Sequence, residues 1–147
     1  MKQIRRVAPF CLIAVFCIIC LTSCRGLTKK ESIISLWLEN KEAFLRASEA
    51  GDYQSLSKIA GIERIETEER CINIFCGSIG FGSGGSYFGI FYSAADDLLA
   101  VNVSLGSPEE LQRQGSGFLY VSPIPESNKR YYVEPLGNHY FYYEAHY

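Results

Sequence analysis

The chain has 147 residues, with 14 basic and 16 acidic side chains and a formal net charge of −2. This length allows one hydrophobic core and is too short for two domains of ordinary size. A slightly acidic chain without basic clusters also lacks the electrostatic character of a nucleic-acid-binding protein, so we expect no nucleic-acid partner.

Residues 1–23 have the layout of a secretory signal peptide. Lys2, Arg5 and Arg6 precede an apolar run of 15 residues from Val7 to Leu21. That run is shorter than the roughly 20 residues that a membrane-spanning helix needs. We therefore predict that the segment is a cleaved leader and not an anchor.

The leader ends in Leu21-Thr22-Ser23-Cys24, an aliphatic residue followed by two small residues and a cysteine. This resembles the lipobox of bacterial lipoproteins. The resemblance implies cleavage between Ser23 and Cys24 and a diacylglyceryl group on Cys24, which would hold the protein on the extracytoplasmic face of the cell membrane. Residues 24–30 would form the lipidated tether. Three basic residues and no acidic ones lie in 1–23, so residues 24–147 keep 11 basic against 16 acidic, a net charge of −5.

Two helices are predicted after the tether. Thr28 and Glu31 fit a capping box, and apolar residues recur at helical spacing as far as Ala47. Gly51 ends this helix, because glycine tolerates a left-handed cap, and Asp52 can cap a short second one.

Beyond residue 61 the apolar period changes from helical to two, which indicates strands. The candidate strands are Ile62–Glu66, Cys71–Cys76, Ser86–Ser93, Val101–Leu105, Phe118–Val121, Arg130–Glu134 and His139–His146. Residues 31–147 are therefore predicted to form a single α+β domain, with an N-terminal helix and a short second helix packed on an antiparallel sheet of about six strands.

Glycine is most frequent between Gly77 and Gly89, and this pattern predicts a β-hairpin with a wide glycine loop at its tip. A phosphate-binding loop is not favoured, because a strand follows the glycines where that motif needs a helix. Asp96 and Asp97 are interpreted as a solvated turn. No cofactor and no metal site are predicted.

Cys71 and Cys76 are the only cysteines after Cys24. Five steps along an extended strand separate two residues by about 16 Å, far more than a disulfide tolerates. We predict two unpaired thiols, at least one of them buried. A bridge would require a bulge between them.

The last 30 residues hold nine aromatic side chains, and both faces of the final predicted strand are aromatic. One interpretation is an inner strand with its tyrosines buried. The other is an exposed surface, formed by Tyr131, Tyr140 and Tyr142, that stacks on sugars or docks a protein. The sequence does not decide between them, because strand position is not visible in it.

A second resemblance covers the chain from about Ser32 to its end. The segments Tyr87-Phe88-Gly89-Ile90-Phe91-Tyr92-Ser93 and Tyr140-Phe141-Tyr142-Tyr143-Glu144, the Asp96-Asp97 pair and the Cys76-Gly77 step are similar to those of short uncharacterised lipoproteins of Gram-positive gut anaerobes. The resemblance implies a small shared domain on the outer face of the cytoplasmic membrane. It implies no activity.

Three functions follow as hypotheses. The first is a non-catalytic module that binds an envelope protein, peptide or glycan through the tyrosine-rich face. The second is an envelope hydrolase that uses Cys76 or His139, although no local catalytic signature surrounds either residue. The third is an immunity or inhibitor lipoprotein whose acidic surface covers a basic partner. We favour the first and expect no enzymatic activity.

Overall fold

The computed structural model describes residues 26–80, 84–101, 108–124 and 127–147. Within these ranges the chain forms helices and one antiparallel sheet, so the predicted α+β class is confirmed. The described sheet has seven strands, one more than the predicted six or so. The predicted leader, the cleavage site at Ser23 and the lipidation site at Cys24 lie outside the described residues.

Two α-helices occupy the segment where the sequence predicted one. Helix α1 spans Lys30–Glu39 and helix α2 spans Lys41–Ala50. Between them Asn40 leaves the helical conformation, and its side-chain amide donates a 2.9 Å hydrogen bond to the Leu36 carbonyl oxygen. The predicted single helix is wrong because asparagine offers the backbone this local alternative.

The predicted helix ends are partly correct. The capping box at Thr28 and Glu31 is wrong, because the N-cap is Lys29 and it makes no side-chain capping hydrogen bond. Gly51 does end α2 in the left-handed conformation, with φ 68°. The short second helix exists as a 3₁₀ helix at Tyr53–Lys58, without a side-chain cap from Asp52.

The seven strands of the described chain pair antiparallel throughout. They are β1 Arg64–Thr67, β2 Ile72–Ile79, β3 Ser86–Tyr92, β4 Gln112–Gln114, β5 Gly117–Val121, β6 Arg130–Gly137 and β7 Tyr140–His146. Their order in the sheet is β1-β2-β3-β7-β6-β5-β4, which places β7 at the centre, between β3 and β6.

Strand β4 was not predicted. One 3₁₀ turn, Pro108–Glu110, precedes it. Of the strand predicted at Val101–Leu105, Val101 lies in a bend and the other residues lie outside the described ranges.

The sheet separates two hydrophobic cores. Tyr140 and Tyr142 of β7 pack under the helices with Phe44 and Trp37, while Phe141 and Tyr143 pack on the opposite face. Both faces of β7 are therefore buried. This confirms the inner-strand interpretation of the aromatic ending.

Five residues form a row across one end of the sheet, one on each of five adjacent strands. Each lies directly opposite its neighbour on the next strand. The row contains Ile79, Ser86, His146, Arg130 and Val121, from β2 to β5. Directly opposite residues share a face, and this one is the helix-covered face, on which Tyr140 and Tyr142 also lie. We call it the terminal row.

Candidate functional site

The tyrosines predicted as a binding surface are inaccessible. Tyr131, Tyr140 and Tyr142 each have 0% of their surface exposed. Their hydroxyls donate to the Leu98 carbonyl oxygen at 2.9 Å, the Phe44 carbonyl oxygen at 2.6 Å and the Glu144 carboxylate at 2.6 Å, respectively. The predicted surface is therefore wrong, because rings on the inner strands β6 and β7 are covered on both faces.

A partly exposed aromatic surface, with Tyr87 and Tyr147 half-buried, lies on the face opposite the helices. There a groove with a volume of about 500 Å³ is lined by Arg64, Asn73, Phe75, Tyr87, Val101, Lys129, Tyr143, Ala145 and Tyr147. We call it the aromatic groove. Its lining comes from β1, β2, β3 and β7, from the residues next to β6 and β7, and from Val101 in a bend.

Three rings form the wall of the aromatic groove. The Tyr87 ring centroid lies 6.2 Å from that of Phe75, with a 49° angle between the planes, and 5.8 Å from that of Tyr147, with an angle of 75°. Edge-to-face packing of this kind fixes the rings relative to one another. The wall is therefore concave and angled, not a flat platform.

Two cations flank the wall. The Arg64 guanidinium carbon lies 4.1 Å from the Phe75 ring centroid, and the Lys129 ammonium lies 6.0 Å from the Tyr147 ring centroid. Arg64 also forms a 3.1 Å ion pair with Glu66, which offsets part of its charge. No carboxylate is among the residues that line the groove. Cationic groups thus flank the rim of the groove, while the Glu68 carboxylate lies 3.1 Å from the Asn73 side chain of its lining.

The floor of the groove is polar and fixed. The Tyr143 hydroxyl donates a 2.9 Å hydrogen bond to Asn73 Oδ1, and Asn73 Nδ2 donates at 3.1 Å to Glu68. Burial raises the pKa of Tyr143, so its hydroxyl keeps its proton at neutral pH. This chain of hydrogen bonds holds Asn73 and Tyr143 in one orientation.

The two thiols lie in different cores. Cys71 belongs to the core opposite the helices and Cys76 to the core beneath them, and both are free. The predictions of unpaired thiols and of burial are confirmed. Burial raises the pKa of each thiol to about 12, with Glu68 contributing at Cys71 and Glu63 at Cys76. Neither is therefore a thiolate nucleophile near neutral pH.

The two histidines lie at opposite ends of β7. His139 precedes the strand, in a turn with φ 66°, and its Nδ1 lies 2.9 Å from Asp96 Oδ1. His146 is in the terminal row, where its Nδ1 lies 2.7 Å from the Ser86 hydroxyl and its Nε2 lies 3.5 Å from a Glu144 oxygen. Ser86 was not among the predicted site residues, because cross-strand register brings it to His146.

The turn that contains Asp96 and Asp97 has a structural role. Asp97 accepts a 2.9 Å hydrogen bond from the Leu99 backbone N–H and pairs with Arg70 at 2.8 Å. Within the described ranges, no three His, Cys, Asp or Glu side chains are placed to hold a metal ion. The β2–β3 hairpin around the glycine loop is confirmed, although residues 81–83 of that loop lie outside the description.

Comparison of the chain with protein families, curated proteins and solved structures finds no match. In the described part of the chain, no helix has the length and apolar character required to cross a bilayer. Function must therefore be inferred from the residues and their geometry.

Proposed function

We propose that this protein is a membrane-anchored extracytoplasmic lipoprotein, lipidated at Cys24, whose domain is a non-catalytic binding module. The aromatic groove is the binding site, and its ligand is an acidic peptide segment of an envelope protein. The observation that supports this most directly is the pair of half-buried rings Tyr87 and Tyr147, which lie between Arg64 and Lys129 and pack beside the buried Phe75 ring.

The size and charge of the groove support a short ligand. A volume of about 500 Å³ falls within the range of ordinary ligand sites, which take a few side chains and not a whole domain. Lys129 and the part of the Arg64 charge that Glu66 does not offset favour carboxylates.

The angles between the rings favour a peptide over a glycan. A sugar ring stacks on a flat exposed aromatic face, whereas the Tyr87 and Tyr147 planes meet at 75°. Such a corner accepts a side chain inserted between the rings. Binding of an acidic glycan is therefore the competing outcome of the test.

The lipid anchor is supported by the sequence of residues 21–24. Intact-mass measurement of the protein produced with its leader should show residues 24–147 plus acyl chains. The variant Cys24→Ala should keep the leader and lack the acyl chains. A wild-type protein with the leader attached and without acyl chains would contradict the anchor.

The binding site can be tested with arrays of acidic peptides and of acidic glycans. We expect wild-type protein to bind a subset of the peptides and Tyr87→Ala or Lys129→Ala to lose at least about tenfold in affinity, since buried aromatic and charged contacts dominate such sites. Leu38→Ala, on α1 and 60% exposed, is the control and should bind as wild type. Equal binding by all four proteins would refute the assignment of the groove as the binding site.

A hydrolase is the second candidate, and the 2.7 Å contact between Ser86 and His146 is the observation that favours it. The geometry points to these two residues with Glu144, and not to the buried Cys76 or the Asp96-paired His139. Hydrolysis of a small aryl ester that is lost in Ser86→Ala would support this candidate.

An inhibitor lipoprotein would instead retain one stoichiometric basic protein in a pull-down from membranes.

A further inference from the structure

The end of the sheet at the terminal row exposes apolar side chains. Among the described residues, four large hydrophobic side chains are more than half exposed: Leu38 at 60%, Ile79 at 56%, Val121 at 54% and Ile124 at 59%. Ile79 and Val121 are the two ends of the terminal row, and Ile124 follows β5 by three residues. Three of the four therefore gather at this end of the sheet.

The apolar side chains are spread along an edge. Ile79 and Val121 are separated by four strand spacings, which is about 19 Å. A pocket for a small ligand would bring such groups together. A broad edge with exposed apolar side chains at both of its ends is suited to contact with a flat apolar surface.

Cations lie at the same end of the sheet. Lys129 and Arg130 are exposed at the start of β6, and Arg130 is the member of the terminal row that lies between His146 and Val121. The Glu63 carboxylate neighbours Gly26 beside β2, and Glu144 of β7 lines a pocket together with Arg130. The positive charge is thus on the β5–β6 side of the edge, next to Ile124.

The tether also enters at this end. The Leu27 backbone N–H donates a 2.7 Å hydrogen bond to the Cys76 carbonyl oxygen, and a Cβ at Gly26 would lie 2.7 Å from the Gly77 Cα. Gly77 is two residues from the Ile79 end of β2 and five from its Ile72 end. Cys24 is two residues before Gly26 and can lie no more than about 7 Å from it.

We propose that the terminal-row end of the sheet rests on an anionic lipid bilayer. Ile79, Val121 and Ile124 enter the interface, and Arg130 meets the lipid phosphates. This inference rests on the proposed lipidation of Cys24, which brings the edge to the membrane. The lipid anchor and this face together then fix the orientation of the domain relative to the membrane.

The test compares two positions of matched exposure, Ile124 at 59% and Leu38 at 60%. The protein is produced with its leader as Ile124→Cys or Leu38→Cys, labelled with the fluorophore NBD and reconstituted into vesicles of phosphatidylcholine and phosphatidylglycerol. Unmodified protein gives the background, since Cys71 and Cys76 are buried. We expect a blue shift and quenching by spin-labelled lipid at position 124 and neither at position 38.

Every outcome is informative. No shift at position 124, or equal shifts at both positions, overturns the proposed membrane face. Intact mass shows separately whether Cys24 is acylated. If it is not, the anchor fails, and positions 124 and 38 are labelled in chains whose Cys11, Cys17, Cys20 and Cys24 are replaced by serine. These chains are mixed with the vesicles: a shift confined to position 124 still supports the face, and its absence overturns it.

Discussion

The Tyr140 hydroxyl donates a 2.6 Å hydrogen bond to the carbonyl oxygen of Phe44, a residue 96 positions earlier in the chain. The two rings also meet edge to face, with centroids 5.4 Å apart. Because both side chains are fully buried, this contact joins the central strand β7 to helix α2. It is the clearest single link between the helices and the sheet.

Removing that hydroxyl should destabilise the domain. In Tyr140→Phe the Phe44 carbonyl oxygen loses a buried donor, and we expect the free energy of unfolding to fall by about 1–3 kcal/mol. Urea titration followed by the fluorescence of Trp37, the single tryptophan, measures the change. Tyr120→Phe, at a half-buried ring on the other face, is the control. Equal stability of the two variants would contradict the role given to Tyr140.

The ion pair between Lys30 and Glu134 should make stability depend on pH. Burial alone raises the pKa of Glu134, but hydrogen bonds from Lys30 and Tyr132 outweigh it and lower that pKa below its usual value. The stabilising contribution is therefore complete above the unfolded-state pKa and is lost as pH falls through the lower folded-state pKa. Between about pH 6 and pH 3 wild type should lose more stability than Glu134→Gln.

The expected difference is about 1 kcal/mol or less, since the Lys30 side chain is 31% exposed and solvent screens the pair. Acid titration of both proteins at fixed urea measures it. Glu42→Gln is the control, because the Glu42–Arg46 pair is on the surface, with the Glu42 side chain 90% exposed. If the stability of wild type and that of Glu134→Gln change in parallel with pH, the stabilising role of the Lys30–Glu134 ion pair is refuted.

The two thiols should be protected in the folded protein. Burial raises the pKa of Cys71 and Cys76 to about 12, so at pH 8 both remain protonated and shielded. Ellman's reagent should react slowly with the two thiols of the native protein. In denaturant it should react rapidly with both. One thiol that reacts rapidly in native protein and is lost in Cys76→Ala would return Cys76 to consideration as a nucleophile.

Gly89 should not accept any side chain. A Cβ there would lie 2.6 Å from the Ile74 carbonyl oxygen and 2.8 Å from a carbon of the Tyr143 ring. Gly89→Ala should therefore destabilise the domain by about 1–3 kcal/mol, the usual result of overpacking. Gly84→Ala, where a Cβ meets nothing within 4 Å, is the matched control. Thermal melts of the two variants should differ clearly.

Local patterns in the sequence predicted much of the fold. Alternation of apolar residues placed most of the strands, and Gly51 was identified as a helix end because its conformation depends on its own chemistry. Alternation on the last strand also predicted that both of its faces are aromatic, and the two cores on either side of β7 confirm this.

The candidate site could not be predicted in the same way. The exposure of Tyr131 depends on which strands flank β6, and the sequence contains no local signal for strand order. The aromatic groove joins Phe75, Tyr87 and Tyr147 from distant parts of the chain, so no spacing reveals it. Asn40 was missed because one side-chain hydrogen bond outweighs otherwise uniform helical periodicity.

The position of β7 between β3 and β6 has a consequence for biogenesis. Until residues 140–146 emerge, the earlier strands exist as two separate halves, β1-β2-β3 and β4-β5-β6, each with an unpaired inner edge. Open edges of this kind recruit other chains. A ribosome that stalls before Tyr140 would therefore release a polypeptide prone to aggregation, whereas a finished one can close its own sheet.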